Sequence, residues 1–266
     1  MAEPAGALGR VDKLVRDALV GRDALLVLGL CGAQGSGKST LAAGLRDRLV
    51  RDGVPSAILS IDDLYLTRGE REALARDVHP LLRTRGVPGT HDVALGLATI
   101  DALARGEAAA LPRFDKAADD RLPSNLWDRA EAGTRVLIFE GWCVGARPQT
   151  EAALAEPVNV LEREDDPEGV WRRFANDALA GPYQALFARV DRLVLLAAPG
   201  FETVLHWRTE QEHALRAQAG NGAGVMSDAE VARFISHYER LTRHISSEMP
   251  ARADLVLALD QKRRVR

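Results

Sequence analysis

The chain has 266 residues, 46% hydrophobic and 27% charged, with a formal net charge of −3 at pH 7. This composition argues against a disordered chain, against a nucleic-acid binder with its usual basic stripe, and against a membrane protein, since no run nears the roughly 20 apolar residues that span a bilayer. Two cysteines, Cys31 and Cys143, argue against a disulfide framework and fit a reducing compartment.

The length suits a single large α/β domain over residues 1–266, with room for a small inserted or terminal subdomain. Met1 to Ala5 carry no basic n-region and no long apolar stretch, so no secretory signal is expected and the location expected is cytoplasmic. Val11, Leu14, Val15, Ala18 and Leu19 mark a first helix. The apolar run 24–30 then predicts a buried strand, and it leads into Gly32-Ala33-Gln34-Gly35-Ser36-Gly37-Lys38-Ser39-Thr40, a complete G-x-x-x-x-G-K-[ST] loop. The glycines allow backbone N–H groups to curl around an anion. Lys38 places a positive charge against the β- and γ-phosphates, and the Ser39 hydroxyl is a ligand for Mg²⁺. A helix opening near Lys38, with Leu41, Leu45 and Leu49 at helical spacing, aims its positive N-terminal end at the same phosphates. Strand, loop and helix in that order predict a nucleoside triphosphate site.

Further strands are expected at 56–61, 135–140, 192–197 and 254–259, separated by amphipathic helices. Strands alternating with helices predict a mostly parallel five-stranded sheet with helices on both faces, ligands lying at the carboxyl ends of the strands. Asp62 and Asp63 close the second strand, where a carboxylate can accept the proton of an attacking hydroxyl or hold Mg²⁺; either could instead simply cap the helix that follows. Glu140 ends the third strand, Val136-Leu137-Ile138-Phe139-Glu140-Gly141, in the manner of a Walker B acid, and Gly141 permits a sharp turn or a close approach.

Two stretches rich in Pro, Gly, Arg and Asp, 79–92 and 111–134, are long for simple connections, which favours substrate loops or lids. In the first, Thr90 is the expected cap of a helix running from Asp92 to Arg105, with His91 and Asp92 in its first turn; both can hydrogen-bond a substrate hydroxyl. In the second, Pro112-Arg113-Phe114-Asp115-Lys116 and Asp119-Asp120-Arg121 suit a clamp for an anionic substrate as well as a solvated loop. Toward the end, a helix from Glu202 to Ala219 and a capping box at Ser227-Asp228-Ala229-Glu230 predict a helical part over about 200–248. The four histidines there, His206, His213, His237 and His244, show no zinc spacing, so surface or core roles are expected, and Trp171 and Trp207 read as packing residues. The basic end Lys262-Arg263-Arg264-Val265-Arg266 reads as a solvated tail.

Gly32 to Thr40, Ser60-Ile61-Asp62-Asp63-Leu64-Tyr65, Arg85-Gly86-Val87-Pro88-Gly89-Thr90-His91-Asp92, Pro112 to Lys116 and Phe139-Glu140-Gly141-Trp142 occur in this order. Together with Trp207 to Glu212, Met226 to Asp228 and Tyr238 to Leu241 they resemble the D-glycerate 3-kinase family, a branch of the phosphoribulokinase, uridine kinase and pantothenate kinase group of P-loop kinases. The resemblance covers nearly the whole chain. It departs at Leu64, where the family has an aromatic residue, and at Ala117 to Asp120, where the family is richer in glycine.

The resemblance implies an ATP- and Mg²⁺-dependent kinase acting on a hydroxyl of a small acid, D-glycerate foremost. It implies Asp62 as general base, Glu140 near the metal with Ser39 and Asp62, and Lys38 on the transferring phosphoryl. Asp63, Tyr65, His91, Asp92, Arg113, Asp115, Lys116 and Arg121 would face the acceptor, Arg113 or Arg121 holding its carboxylate. Arg172 and Arg173 suit a lid over the nucleotide or a purely structural helix. The rival expectations are a kinase for pantothenate, a nucleoside or a sugar, a nucleotide-driven switch acting on protein partners, and a regulator without catalysis. The expected partner is a small glycerate-like molecule, with neither nucleic acid nor membrane involved.

Overall fold

Two apolar runs, each bounded by turn residues, become the fully buried heart of a sheet in a computed structural model that describes residues 6–219 and 226–266. The elements are α1 (Ala7–Leu19), β1 (Leu26–Gly32), α2 (Lys38–Arg51), β2 (Ser56–Ser60), α3 (Arg68–Asp77), α4 (Val93–Ala104), β3 (Ala109–Leu111), β4 (Phe114–Asp115), β5 (Asp120–Arg121) and β6 (Asp128–Ala130), followed by β7 (Val136–Gly141), α5 (Glu151–Leu154), α6 (Val160–Asp165), α7 (Val170–Ala180), α8 (Pro182–Phe187), β8 (Arg192–Ala197), α9 (Phe201–Ala219), α10 (Asp228–Glu248) and β9 (Leu255–Ala258). The five long strands form one parallel sheet in the order β2-β7-β1-β8-β9. The five strands expected from the apolar runs are those five.

Every residue of β1 and β7 is buried, which is why they read as continuous apolar runs and not as alternating ones. Alternation survives in which face each residue serves. Leu26, Leu28 and Leu30 pack with Val11, Val15, Leu41 and Leu45 of α1 and α2 on one face. Val27 and Cys31 pack on the other, with Ile100 of α4, Leu186 of α8 and Ile245 of α10. Burying each such leucine contributes about 1.5–3 kcal/mol. The expected α/β architecture, a parallel sheet covered by helices on both faces, is the one observed.

Several local expectations change. The helix over 93–104 is capped by Asp92, whose carboxylate accepts from Leu95 N at 2.9 Å, and not by Thr90. Thr90 is spent inside its own turn, bonding Val87 O at 2.7 Å and Gly86 N at 3.0 Å. The stretch 111–134 is a two-tier ribbon in place of an irregular loop: β3 pairs antiparallel with β6, and β4 with β5. The capping box at Ser227 and Glu230 is present. Arg172 is buried, donating to Leu154 O and pairing with Asp166 at 3.1 Å, so it is a structural residue of its helix and not part of a lid. Arg173 pairs with Glu151 on the surface. Both cysteines are free and buried, and no helix among the described residues is long and apolar enough to cross a membrane. Met1 to Ala5 lie outside the described residues.

Candidate active site

The loop after β1 turns on Gly35 (φ 77°) and Gly37 (φ 89°), conformations that residues with a Cβ rarely adopt. Gly35 is doubly constrained, since a Cβ there would come within 2.7 Å of Trp207 Cβ. The loop thus lies against the buried Trp207 of α9. Ser36 is wholly buried with its Oγ unpartnered, and Gln34 Oε1 is unpartnered as well. α2 starts at Lys38, presenting its free N–H groups and dipole to the hollow of the loop. At the base of the loop, Cys31 Sγ donates to Trp142 O at 3.3 Å, and burial pushes its thiol up to about 12, which leaves it chemically quiet.

β2 ends where Ser60 Oγ accepts from Asp62 N and starts a 3₁₀ turn, Ile61–Leu64. That turn sends its two acids different ways. Asp62 is 27% exposed; its Oδ1 accepts from the Tyr65 hydroxyl at 2.8 Å and its Oδ2 from Lys116 Nζ at 2.9 Å. Burial pushes the Asp62 carboxyl up, but the charges of Lys116 and Lys38 outweigh it and hold the group ionised, below the usual carboxylate range. Asp63 instead accepts from Arg113 at 2.7 Å and from Phe114 N at 3.1 Å, fastening the ribbon to the sheet. Burial raises its carboxyl above the ordinary value, against the pull of Arg113.

β7 ends in Glu140, whose Oε1 accepts from Ser39 Oγ at 3.0 Å while Oε2 is buried without a partner. Burial pushes this carboxyl up, only partly opposed by Lys38. A buried acid with one free oxygen beside a hydroxyl is a donor set suited to a hard dication, which would lower that raised pKa again. Among the described residues no cluster of three or more His, Cys, Asp or Glu groups could hold a metal. A Mg²⁺ ion held by Ser39 and Glu140 would therefore complete its shell with phosphate oxygens and water, its usual habit. The donor set fits.

Lys38 and Asp62 face a cleft of about 580 Å³ lined also by Gln34, Gly35, Ser39, Tyr65, Arg85, Lys116, Trp142, Arg208, Glu210, Gln211, Ala214, Phe234, Tyr238 and Arg263. Five cations against two carboxylates make it a trap for anions. Of the eight residues expected to face an acceptor, the structure brings Tyr65 and Lys116 to this cleft. Asp63 and Arg113 pair with each other, and Arg113 also pairs with Asp128 at 2.6 Å. Arg121 donates to Tyr65 O at 2.9 Å and to Asp92 at 3.1 Å, while Asp92 caps α4. Asp115 accepts from Ala117 N and Ala118 N in the ribbon's tip. His91 is buried, stacked on Tyr65 with ring centroids 4.6 Å apart and bonded to Tyr183 at 2.6 Å; burial lowers its pKa to about 4, so it is neutral. These six hold the two residues that reach the cleft.

Sequence reasoning overlooked the far wall. Arg85 opens the R-G-V-P-G-T-H-D stretch and lines the cleft, pairing with Asp119 and lying 5.5 Å over the Phe114 ring. Its neighbour Gly86 (φ 140°) leaves room for the Tyr238 ring, against which any Cβ would clash. Trp142 Nε1 donates to Gly86 O at 3.0 Å, and the Tyr238 hydroxyl donates to Arg85 O at 3.1 Å. Arg208, Glu210, Phe234 and Tyr238 arrive from α9 and α10, where amphipathic periodicity cannot tell a cleft wall from a core face. In the basic end Lys262, Arg264 and Arg266 are exposed as expected, but Arg263 folds back and donates to Gly35 O at 2.7 Å.

A family model for the phosphoribulokinase / uridine kinase family matches residues 27–147. An uncharacterized kinase of Schizosaccharomyces pombe is 39% identical over 223 residues, covering 80% of this chain and 78% of that protein. The chloroplastic D-glycerate 3-kinase of Arabidopsis thaliana is 34% identical over 224 residues, 80% of this chain, but this chain spans only 46% of the plant protein. Among solved structures, a D-glycerate 3-kinase from Cryptococcus neoformans superposes with a TM-score of 0.82 at 26% identity, covering 98% of this chain and 97% of that one.

Proposed function

The chain belongs to the kinases of the phosphoribulokinase / uridine kinase family, and from that premise we propose that it is of the D-glycerate 3-kinase type, a P-loop kinase that transfers the γ-phosphoryl group of ATP to a hydroxyl of a small carboxylic acid, D-glycerate first among them. The observation that carries the acceptor's chemistry is the cleft, where the ionised Asp62 stands with Lys38, Arg85, Lys116 and Arg208. A hydroxyl needs the acid, and a carboxylate needs the cations.

The loop amides and Lys38 bind the β- and γ-phosphates and neutralise charge that spreads over the phosphoryl oxygens during transfer. Mg²⁺ held by Ser39 and Glu140 adds charge neutralisation on the phosphates when bound. Arg85 and Lys116 hold the acceptor's carboxylate. Asp62 accepts a hydrogen bond from the acceptor hydroxyl and aims its lone pair at the phosphorus. The new P–O bond forms as the bond to the β,γ-bridging oxygen breaks, its electron pair leaving with ADP. The hydroxyl proton passes to Asp62 late, once bonding to phosphorus has made it acidic. A carboxylate held below its ordinary pKa suits that task of orientation better than early proton abstraction.

The test is Asp62→Asn. ATP binding is expected to stay near wild type while kcat falls about 10²- to 10⁴-fold, the usual worth of general-base assistance; an unchanged kcat sinks the assignment. An acceptor screen by coupled ADP release should give D-glycerate turnover well above background ATPase. Turnover with pantothenate, a nucleoside or a sugar, and none with glycerate, would reject the acceptor.

A further inference from the structure

Arg263 adopts a left-handed backbone (φ 63°), one of two non-glycine residues to do so among those described; the other, Asp119 (φ 55°), holds Arg85. A side-chain-bearing residue is disfavoured there and persists only where its surroundings enforce it. The turn after β9 does so. Asp260 accepts from Lys262 N at 2.8 Å and Arg264 N at 2.9 Å, and Leu259 bridges to Val265.

The turn aims the Arg263 guanidinium at the donor loop. Nε donates to Gly35 O at 2.7 Å, a terminal nitrogen donates to Glu210 at 2.7 Å, and the group lies 5.2 Å over the Trp207 ring. Both hydrogen bonds use N–H edges, which lie in the guanidinium plane, so the two faces are left for stacking. The Trp207 indole lies on one side of the group. The side chain is 19% exposed and lines the cleft. It follows an edge strand whose carboxyl end lies beside the phosphate-binding loop, where ligands of open parallel sheets gather.

We propose that the outward face of Arg263 is the platform on which the donor's nucleobase stacks, giving a layered order of indole, guanidinium and base. The inference rests on the chain binding a nucleoside triphosphate, as in the function proposed above, and adds where the base sits and what holds it. A fixed, planar cation on the face of a purine is a favourable contact.

The experiment is calorimetric binding, with Mg²⁺, of a non-hydrolysable ATP analogue and of inorganic tripolyphosphate, which has phosphates but no base. Wild type, Arg263→Ala and Arg263→Lys are compared. Arg263→Ala is expected to weaken the analogue about tenfold and to leave tripolyphosphate within about twofold. Arg263→Lys keeps the charge without the plane and should lose most of the same affinity; it also serves if the alanine variant does not fold. Equal loss for both ligands would overturn the inference, because Arg263 would then act only through the Gly35 carbonyl. Unchanged affinity for both would overturn it too. A wild-type chain that binds neither ligand would refute the nucleotide-donor reading itself.

Discussion

Replacing Arg85 by methionine removes the cation best placed to hold an acceptor's carboxylate while keeping most of its apolar stem. The cost to folding is small for a structural reason. Asp119, the partner Arg85 leaves behind, retains Arg71 at 3.0 Å. The losses are a partly solvated ion pair, about 0.2–1 kcal/mol, and a cation–π contact with Phe114 of about 0.5–1 kcal/mol. Together these come to about 1–2 kcal/mol, or a Tm lower by roughly 2–8 °C for a chain of this size. The cost to acceptor binding is larger. A charge-assisted hydrogen bond is worth about 1.5–3 kcal/mol, so the acceptor KM should rise about 10- to 150-fold with ATP saturating. With acceptor saturating, the ATP KM should stay within about twofold, because Arg85 touches none of the donor loop. Coupled ADP release measures both, with each substrate varied in turn. An acceptor KM within twofold of wild type, or an equal rise in both, would refute the placement of the carboxylate on Arg85.

Two further outcomes follow from the same wall. Trp142→Phe leaves the buried Gly86 carbonyl without its donor at 3.0 Å, a loss of about 1–3 kcal/mol. Urea denaturation should show it, and an unchanged midpoint would mean the bond adds nothing to stability. Lys116→Met removes one of the two charges that hold the Asp62 carboxyl down, leaving burial opposed mainly by Lys38. A depressed carboxyl stabilises the fold above its ordinary pKa of about 3.9 and loses that contribution as pH falls through the folded value. The variant should accordingly be less stable at neutral pH yet lose less stability than wild type on acidification, while the acidic limb of its kcat profile should move to higher pH; a limb that stays in place would dissociate Lys116 from the ionisation of Asp62.

The fold was legible because its central strands are buried on both faces. Leu26 to Leu30 and Val136 to Phe139 could only be continuous apolar runs, and the loop at Gly32 to Thr40 placed the site at the end of one of them. Asp62 and Glu140 were legible for the same reason, as acids at strand ends. The acceptor half was not. Arg113, Arg121, Asp92 and His91 carry the chemistry of binding residues, yet Arg113 is consumed by Asp63 and Asp128, Arg121 by Tyr65 O and Asp92, Asp92 by Leu95 N and Arg121, and His91 by Tyr183. Composition cannot distinguish a charge that meets a ligand from one that meets its neighbour. Arg263 was hidden for the opposite reason: five residues of basic tail read as solvent-exposed, because only the turn at Asp260 brings one of them back.

One consequence lies in α9, which carries Trp207, Arg208 and Glu210 within four residues. Trp207 seats the phosphate loop, Glu210 holds the C-terminal turn, and Arg208 lines the same cleft, 5.9 Å over Phe234. In the function proposed above, a single helix would thus touch both bound molecules. Whatever shift one of them imposes on that helix alters the affinity for the other, and thermodynamic linkage makes the effect equal in both directions. Saturation with either substrate should change the dissociation constant of its companion by the same factor.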